Sequence, residues 1–432
     1  MKTMYDFITV ENGILLISGA DAAAIADRYG TPTFVMSEDY IRQVSAIYVS
    51  AMKEAFPEGS IPLYASKACS FAEMYRIVDS EGMGADTVSP GEIYTAEKAG
   101  FDMSKAYFHG NNKTDEDILF AVRRKVGHIV ADSIEELDAI DGICERLSVK
   151  QKVLLRLTPG IDPHTFKAVS TGIVDSKFGM AISNGAAEKF LRHALGKANI
   201  VVDGYHCHIG SQVWNAGHYS KAADRMLSFA AKMKEKLGYS PEYLNLGGGF
   251  AVPYTSKEKM PDYRKQILSI GKSIKALCEK HSIDEPKILL EPGRSIVAAA
   301  GITLYTVGTV KEIEGIRNYV SVDGGMTDNP RFALYGSVYE ATKCIGADEP
   351  RDYKCTICGR CCESGDIIGE NMMLQKPARG DVVAVFTTGA YNYSMASNYN
   401  RIPRPPVVMV RDGKARVVVL RESYDDLIRN DV

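Results

Sequence analysis

From about residue 30 to about residue 290, short apolar runs alternate with amphipathic stretches, and this alternation restricts the available folds more than any other feature of the chain. A strand followed by a helix, many times over, satisfies its backbone hydrogen bonds in a parallel sheet with helices packed outside. In "ADSIEELDAIDGICERL", Ile134, Leu137, Ile140, Ile143 and Leu147 recur at helical spacing, and Asp132 or Ser133 can cap the start. "KVLLRLTPG", "NIVVDGYHCHIG" and "EYLNLGGGF" read as buried strands that end in turns. Roughly 250 residues of such alternation is the length of a TIM-like (β/α)8 barrel. A doubly wound open sheet has the same periodicity and stays open as the alternative.

After about residue 300 the texture changes. "ITLYTVGTVKEI", "NYVSVDGG", "DVVAVFTTGAY", "PPVVMVRDG" and "ARVVVLRE" are β-rich segments separated by Gly, Asp and Pro turns. They predict a mostly antiparallel β-barrel or sandwich, and the first stretch of the chain has a similar strand-like piece. The expectation is an α/β chain with a barrel over residues 30–290 and a β domain made from 1–29 and 291–432.

The chain has 432 residues, a formal net charge of -3, 45% hydrophobic and 24% charged residues. Such a chain can bury a large core, and its length allows two or three domains. The near-neutral balance and the lack of a long basic run argue against nucleic acid or an anionic membrane as the main partner. "MKTMYDFITVENGILLISGA" has no basic segment leading into a signal-length apolar core, so the expected location is the cytoplasm. Nine cysteines are too few and too dispersed for a disulfide scaffold in a chain this long.

Four short stretches can carry chemistry. In "IPLYASKACS", Lys67 follows an apolar strand among small residues. It reads either as a solvated rim lysine or as a desolvated amine suited to forming an imine. "HCHIGSQ" places His206 and His208 on one face of a strand, the spacing of a zinc-ligand pair, and then turns at Ser211. "NLGGGF" gives three glycines after a strand, either a tight turn or a place where backbone N–H groups crowd an anion. "LLEPGRSIV" brings Glu291 and Arg294 to another strand end, where a structural ion pair is the plain reading.

Together these resemble one family, the fold-type III pyridoxal-phosphate-dependent decarboxylases, and within it the diaminopimelate branch. The resemblance spans nearly the whole chain. It includes "YASKA", "FHGNNK", "RLTPGIDPHTFKAVSTGIVDSKFG", "HCHIGSQ", "GGGF", "EPGR", "DGGMTDNPRFALY", "CESGD" and "GAYNYSMASNYN" in order. "HCHIGSQ" and "CESGD" are the most specific to that branch.

The resemblance implies pyridoxal 5'-phosphate as cofactor and a homodimer whose active site is shared across the interface. Lys67 matches the lysine that binds the cofactor covalently, and His208 the histidine that stacks on its ring. Ser211, Gly248, Gly249, Gly293, Arg294 and Tyr391 match phosphate-holding positions, and Glu291 matches the carboxylate facing the ring nitrogen. Asp86 and Arg156 match positions near the cofactor. Arg294, Arg331, Tyr335 and Tyr391 match substrate-binding positions. Cys362 and Glu363 match a pair that reaches in from the partner subunit, the thiol as proton donor and the carboxylate as contact for the substrate's distal ammonium.

The implied reaction is decarboxylation of meso-2,6-diaminopimelate to L-lysine, the last step of bacterial-type lysine synthesis. A second anchoring arginine, Arg331, suits a dicarboxylate substrate. The rivals are a related decarboxylase acting on another D-amino acid or on carboxynorspermidine, and a non-catalytic pyridoxal-phosphate- or zinc-binding regulatory protein. "CTICGRCCESGD" departs from the family in Cys355, Cys358 and Cys361, whose spacing can bind zinc. No second ligand pair is evident, the run reads as a strand leading into a loop, and no metal is expected.

Overall fold

Eight parallel strands close on themselves in the computed structural model, which describes residues 5–161 and 175–432. They run Ile61–Ala65, Gly84–Thr87, Ala106–Phe108, His128–Ala131, Gln151–Thr158, Ile200–His206, Tyr243–Asn245 and Lys287–Leu290. Each pairs with the next, and the eighth pairs with the first through Leu289 with Ile61 and Leu290 with Pro62. The closed parallel barrel replaces the open-sheet alternative. Part of the "RLTPGIDPHTFKAVSTGIVDSKFG" segment, residues 162–174, lies outside the described residues.

Helices follow the strands where the periodicity places them. The helix Ile134–Leu147 buries Leu137, Ile140, Ile143 and Cys144, and Ser133 caps it by accepting the Glu136 N–H at 3.2 Å. Asp132, the other candidate cap, points elsewhere. It is buried and receives the Gly179 N–H at 3.0 Å.

Inside the barrel the period of two along each strand produces layers. Leu63, Tyr107, Val130, Leu154 and Leu289 form one apolar layer. Two residues further along the same strands stand Ala65, His109, Asp132, Arg156 and Glu291, at or just past the strand ends. Below the apolar layer, Asp203 is held by His128 at 2.9 Å and Lys152 at 3.0 Å. The apolar layer therefore separates a charged floor from a charged mouth. Each large apolar side chain removed from water contributes roughly 1.5–3 kcal/mol. Burying one ion costs several kcal/mol, so the mouth is affordable only because its charges are paired.

The chain divides into two compact units: Val44–Ala251 with Pro261–Ser295, which is the barrel unit, and Met1–Gln43 with Val252–Met260 and Ile296–Val432. The divisions fall at 44 and 295 where the sequence suggests 30 and 290. The reason lies in strand Thr33–Ser37, whose ladder partners are Gly301–Leu304 and Val407–Val410, both in the β unit.

The β unit is built on the 13-residue strand Gly301–Ile313. Its first half pairs with Val382–Phe386 and its second with Arg317–Val322, and a register shift between Val307 and Thr309 lets it bend from one to the other. Each β-rich segment read from the sequence contains a strand, and so does the cysteine run, as Tyr353–Cys358. The antiparallel expectation needs one correction: the sheet is mixed. Tyr353–Cys358 runs parallel to Arg317–Val322, and Val407–Arg411 parallel to Thr33–Ser37. A separate three-stranded antiparallel sheet occupies Ile8–Asp21.

Candidate active site

Lys67 sits in a single 3-10 turn, Ser66–Ala68, just past the first barrel strand. Its small neighbours have work of their own. Ser66 Oγ lies 2.7 Å from the Asp86 carbonyl oxygen and 2.8 Å from Glu92 Oε2, within hydrogen-bond reach of both, and Ala68 and Cys69 are buried. The turn is thereby fixed with Lys67 Nζ 3.8 Å from Asp86 Oδ2. Neither Asp86 oxygen accepts a hydrogen bond, although the residue is 1% exposed. Burial pushes this carboxyl up, against the pull of His109 and Lys67.

Glu291, just past the eighth strand, is the centre of the mouth. Its Oε1 accepts from Asn245 Nδ2 at 2.7 Å and lies 3.1 Å from His109 Nε2, while Oε2 lies 3.4 Å from His206 Nε2. Burial alone would raise this carboxyl. The two imidazoles beside it prevail and hold it well below the usual carboxylate range. Burial drives His206 down to about 3, so that ring is neutral and supports Glu291 as a hydrogen-bond donor. Arg156 on the fifth strand lies 3.8 Å from Asp132 and stacks over Phe178 at 4.2 Å.

His208 has a different environment. Its Nδ1 accepts the Gly248 N–H at 3.2 Å, which leaves the ring proton on Nε2. Burial, and then the Lys67 charge, hold the ring neutral, well below the ordinary histidine value. The His206/His208 zinc-pair reading thus gives way to two rings with separate partners. The Gly248 N–H goes to His208 Nδ1 here. Gly247 has φ of 71°, and a Cβ there would stand 2.6 Å from His208 Nδ1. At Gly293 a Cβ would stand 2.8 Å from that of Ala65. Arg294 Nε and Nη2 reach Ser211 Oγ at 3.2 and 2.9 Å, so these two expected residues lie together.

In the β unit, Arg331 opens the helix Arg331–Tyr335 and is 8% exposed. Its guanidinium lies over the Tyr335 ring at 5.4 Å and the Tyr391 ring at 5.2 Å, so the expected trio is assembled. Arg331 Nη2 donates to Ser337 at 3.3 Å, whereas the buried Nε has no hydrogen-bond partner. Cys362 and Glu363 lie on an exposed loop. The Cys362 N–H donates to Asn400 Oδ1 at 2.8 Å, and Tyr399 OH lies 3.5 Å from Glu363 Oε2. Asp366 fastens this loop by accepting the N–H groups of Cys361 at 2.7 Å and Met326 at 2.5 Å.

Of nine free cysteines, Cys362 is the exposed one. Among the described residues, the group of three able to share a metal ion is His109, His206 and Glu291; Cys355, Cys358 and Cys361 do not form one. Sequence reasoning passed over His109 and Asn245. Both stand in stretches it had singled out, "FHGNNK" and "NLGGGF", and both lie at or just past a strand end.

Comparison with known proteins agrees with this geometry. Residues 44–298 match the pyridoxal binding domain of the pyridoxal-dependent decarboxylases. Over 422 residues the chain is 41% identical to the diaminopimelate decarboxylase of Bacillus subtilis, covering 98% of this chain and 96% of that one. The Staphylococcus aureus diaminopimelate decarboxylase is 42% identical, with 98% of each chain covered. Among solved structures, the diaminopimelate decarboxylase of M. jannaschii superposes with a TM-score of 0.91 at 34% identity, covering 99% of this chain and 98% of that one. The same enzyme has been solved with L-lysine bound, with the same measures of similarity. A barrel mouth ringed by buried charge, a lysine beside the first strand end and full-length likeness to these enzymes place the chain in the pyridoxal-dependent decarboxylase family, in its diaminopimelate decarboxylase branch.

Proposed function

We propose that the protein removes the carboxyl group at the D centre of meso-2,6-diaminopimelate as CO2 and leaves L-lysine, with pyridoxal 5'-phosphate as cofactor. One arrangement carries the reading: Lys67 Nζ lies 3.8 Å from a buried carboxylate that accepts no hydrogen bond, in a chain related over its full length to enzymes of this name. The residues fit the cofactor. The Asp86 oxygens that accept no hydrogen bond, the glycines at 247 and 293 with no room for a side chain, and the anionic Glu291 suit a flat, partly cationic ring with an anionic tail.

When bound, the cofactor supplies a conjugated ring that takes up the electron pair of the breaking C–CO2 bond. Lys67 holds it covalently through Nζ, with Asp86 as the nearest anion. His208, neutral and fixed by the Gly248 N–H, offers a flat face for the ring. Glu291, ionised in a buried site, keeps a proton on the ring nitrogen. Arg156 adds positive charge beside the two carboxylates. Ser211, Gly248, Gly249, Gly293, Arg294 and Tyr391 would hold the phosphate.

Arg331 and Tyr335, with Arg294 and Tyr391, anchor the carboxylate that stays. The missing partner at Arg331 Nε supports this, because a substrate carboxylate would satisfy it. Cys362 returns the proton to carbon and Glu363 takes the distal ammonium, both offered to the partner subunit of a homodimer. Their exposure supports that assignment. No helix among the described residues is long and apolar enough to cross a membrane; the cytoplasm is the location we assign.

The test is direct. Purified holoenzyme is incubated with meso-diaminopimelate or with D-lysine, and CO2 and L-lysine are measured. Release from diaminopimelate, lost in Lys67→Ala, is the expected result. Faster release from D-lysine would transfer the assignment to a monocarboxylate decarboxylase.

A further inference from the structure

The "FHGNNK" stretch has no part in the scheme so far, yet it is built into the mouth. The His109 N–H donates to the Thr87 carbonyl at 2.8 Å, which sets the residue beside the end of the second strand. Lys113, buried, spends all three ammonium protons on Gly110 O at 2.8 Å, Val130 O at 2.7 Å and Glu136 Oε1 at 2.7 Å. A lysine placed this way clamps the loop immediately after His109. The imidazole it secures is 4% exposed and meets His206 edge-on at 4.9 Å between centroids. Its Nε2 lies 3.1 Å from Glu291 Oε1 and 3.7 Å from Asp86 Oδ1, close polar contacts that are not aligned as hydrogen bonds.

We propose that His109 is a positioning residue for the reaction, whose buried imidazole stands between the Asp86 and Glu291 carboxylates and keeps Glu291 aimed at the cofactor ring nitrogen. Two buried carboxylates this close to one ring repel each other, and a polar ring packed between them offsets part of that cost. His206 is neutral and already turned to the other Glu291 oxygen. Asn245 fixes Oε1 by a hydrogen bond and brings no charge. His109 alone among the three reaches both acids.

This inference rests on the assignment of Glu291 to the ring nitrogen, and the experiment separates the two. Wild type, His109→Ala, Glu291→Gln and the double variant form a cycle with two measurements: turnover of meso-diaminopimelate, and the pyridoxal phosphate concentration that half-saturates the apoenzyme. Glu291→Gln should lower turnover about 100-fold or more. His109→Ala should lower it about 10-fold, the worth of one close polar contact to a buried charge, with KM nearly unchanged. If His109 acts through Glu291, the double variant falls no more than about threefold below Glu291→Gln in turnover and in cofactor affinity. His109→Gln, which keeps an N–H donor, should recover part of the loss and replaces the alanine in the cycle if that variant does not fold.

Losses that multiply, or wild-type turnover in His109→Ala, would overturn the inference and leave the Glu291 assignment standing. Wild-type turnover in Glu291→Gln would overturn that assignment and this inference with it.

Discussion

Replacing Gly247 with alanine tests the coupling between a glycine turn and the cofactor site. The residue has φ of 71°, where an L side chain costs about 1–2 kcal/mol. A Cβ there would also stand 2.6 Å from His208 Nδ1 and 2.7 Å from the Cys207 carbonyl, so both the ring and the backbone beside it must give way. Moving the ring breaks the hydrogen bond from the Gly248 N–H, and a buried donor left without a partner costs about a further 1–3 kcal/mol. Gly82 is the control. It has φ of 83° in an exposed turn and no atom within 4 Å of its Cβ position, so Gly82→Ala carries the backbone term alone. The two variants should differ by about 1–3 kcal/mol, which at about 2–4 °C per kcal/mol for a unit of this size is several degrees of melting temperature. Pyridoxal phosphate titrated into the two apoenzymes should bind about 10-fold more weakly to Gly247→Ala, because His208 no longer presents its face. If the two variants melt together and bind the cofactor alike, the turn does not set the ring and the reasoning fails.

Other expectations follow from the same geometry. Arg331→Ala should lower kcat/KM for meso-diaminopimelate about 10- to 100-fold, the worth of a charge-assisted pair, while Arg331→Lys should not restore it because the guanidinium stacks between two tyrosines; equal kinetics in wild type and Arg331→Ala would remove the anchor. Cys362→Ala should cut turnover about 100-fold or more with substrate KM little changed, as loss of a positioned proton donor does, and full activity would end that assignment. His206, with a folded value near 3 against an unfolded value near 6.5, contributes stability above about pH 6.5 that is lost as pH falls toward 3, at up to about 1.4 kcal/mol per pH unit. The melting temperature should therefore drop between pH 7 and pH 5 more steeply in wild type than in His206→Asn, and parallel curves would contradict a neutral buried ring.

The barrel was legible because its helices repeat a strong apolar stripe and its strands end in turn residues. Ile140 and Ile143 had no competing use, and they lie where the spacing puts them. Polar residues near strand ends were harder. Asp132 looked like a helix cap next to Ser133, and only the fold shows that it accepts the Gly179 N–H and lies beside Arg156 of the neighbouring strand at the barrel mouth. Strand Thr33–Ser37 is apolar like a barrel strand, and local pattern cannot tell which sheet will claim it. At the site, Lys67, His208, Glu291, Ser211 and Arg294 were recognisable from motif likeness. Asp86 was named with them, but that His109 stands between Asp86 and Glu291 was not legible, because the three are far apart in sequence and meet only in the folded barrel. The use of the Gly248 amide was hidden for a related reason. A glycine run advertises available N–H groups without revealing what they will bind.

The seam between the eighth strand and the first also has a temporal consequence. Lys67 belongs to the opening of the barrel, whereas Glu291 and Gly293 belong to its end, and the Ala65 N–H reaches the Pro292 carbonyl across that seam. A ribosome that has released only the first six or seven strands has therefore exposed a reactive amine without the acid and the glycine that complete its surroundings. Capture of the vitamin-derived aldehyde must wait until the last turn of the barrel has emerged and docked, so a fragment ending before residue 290 should leave translation without it.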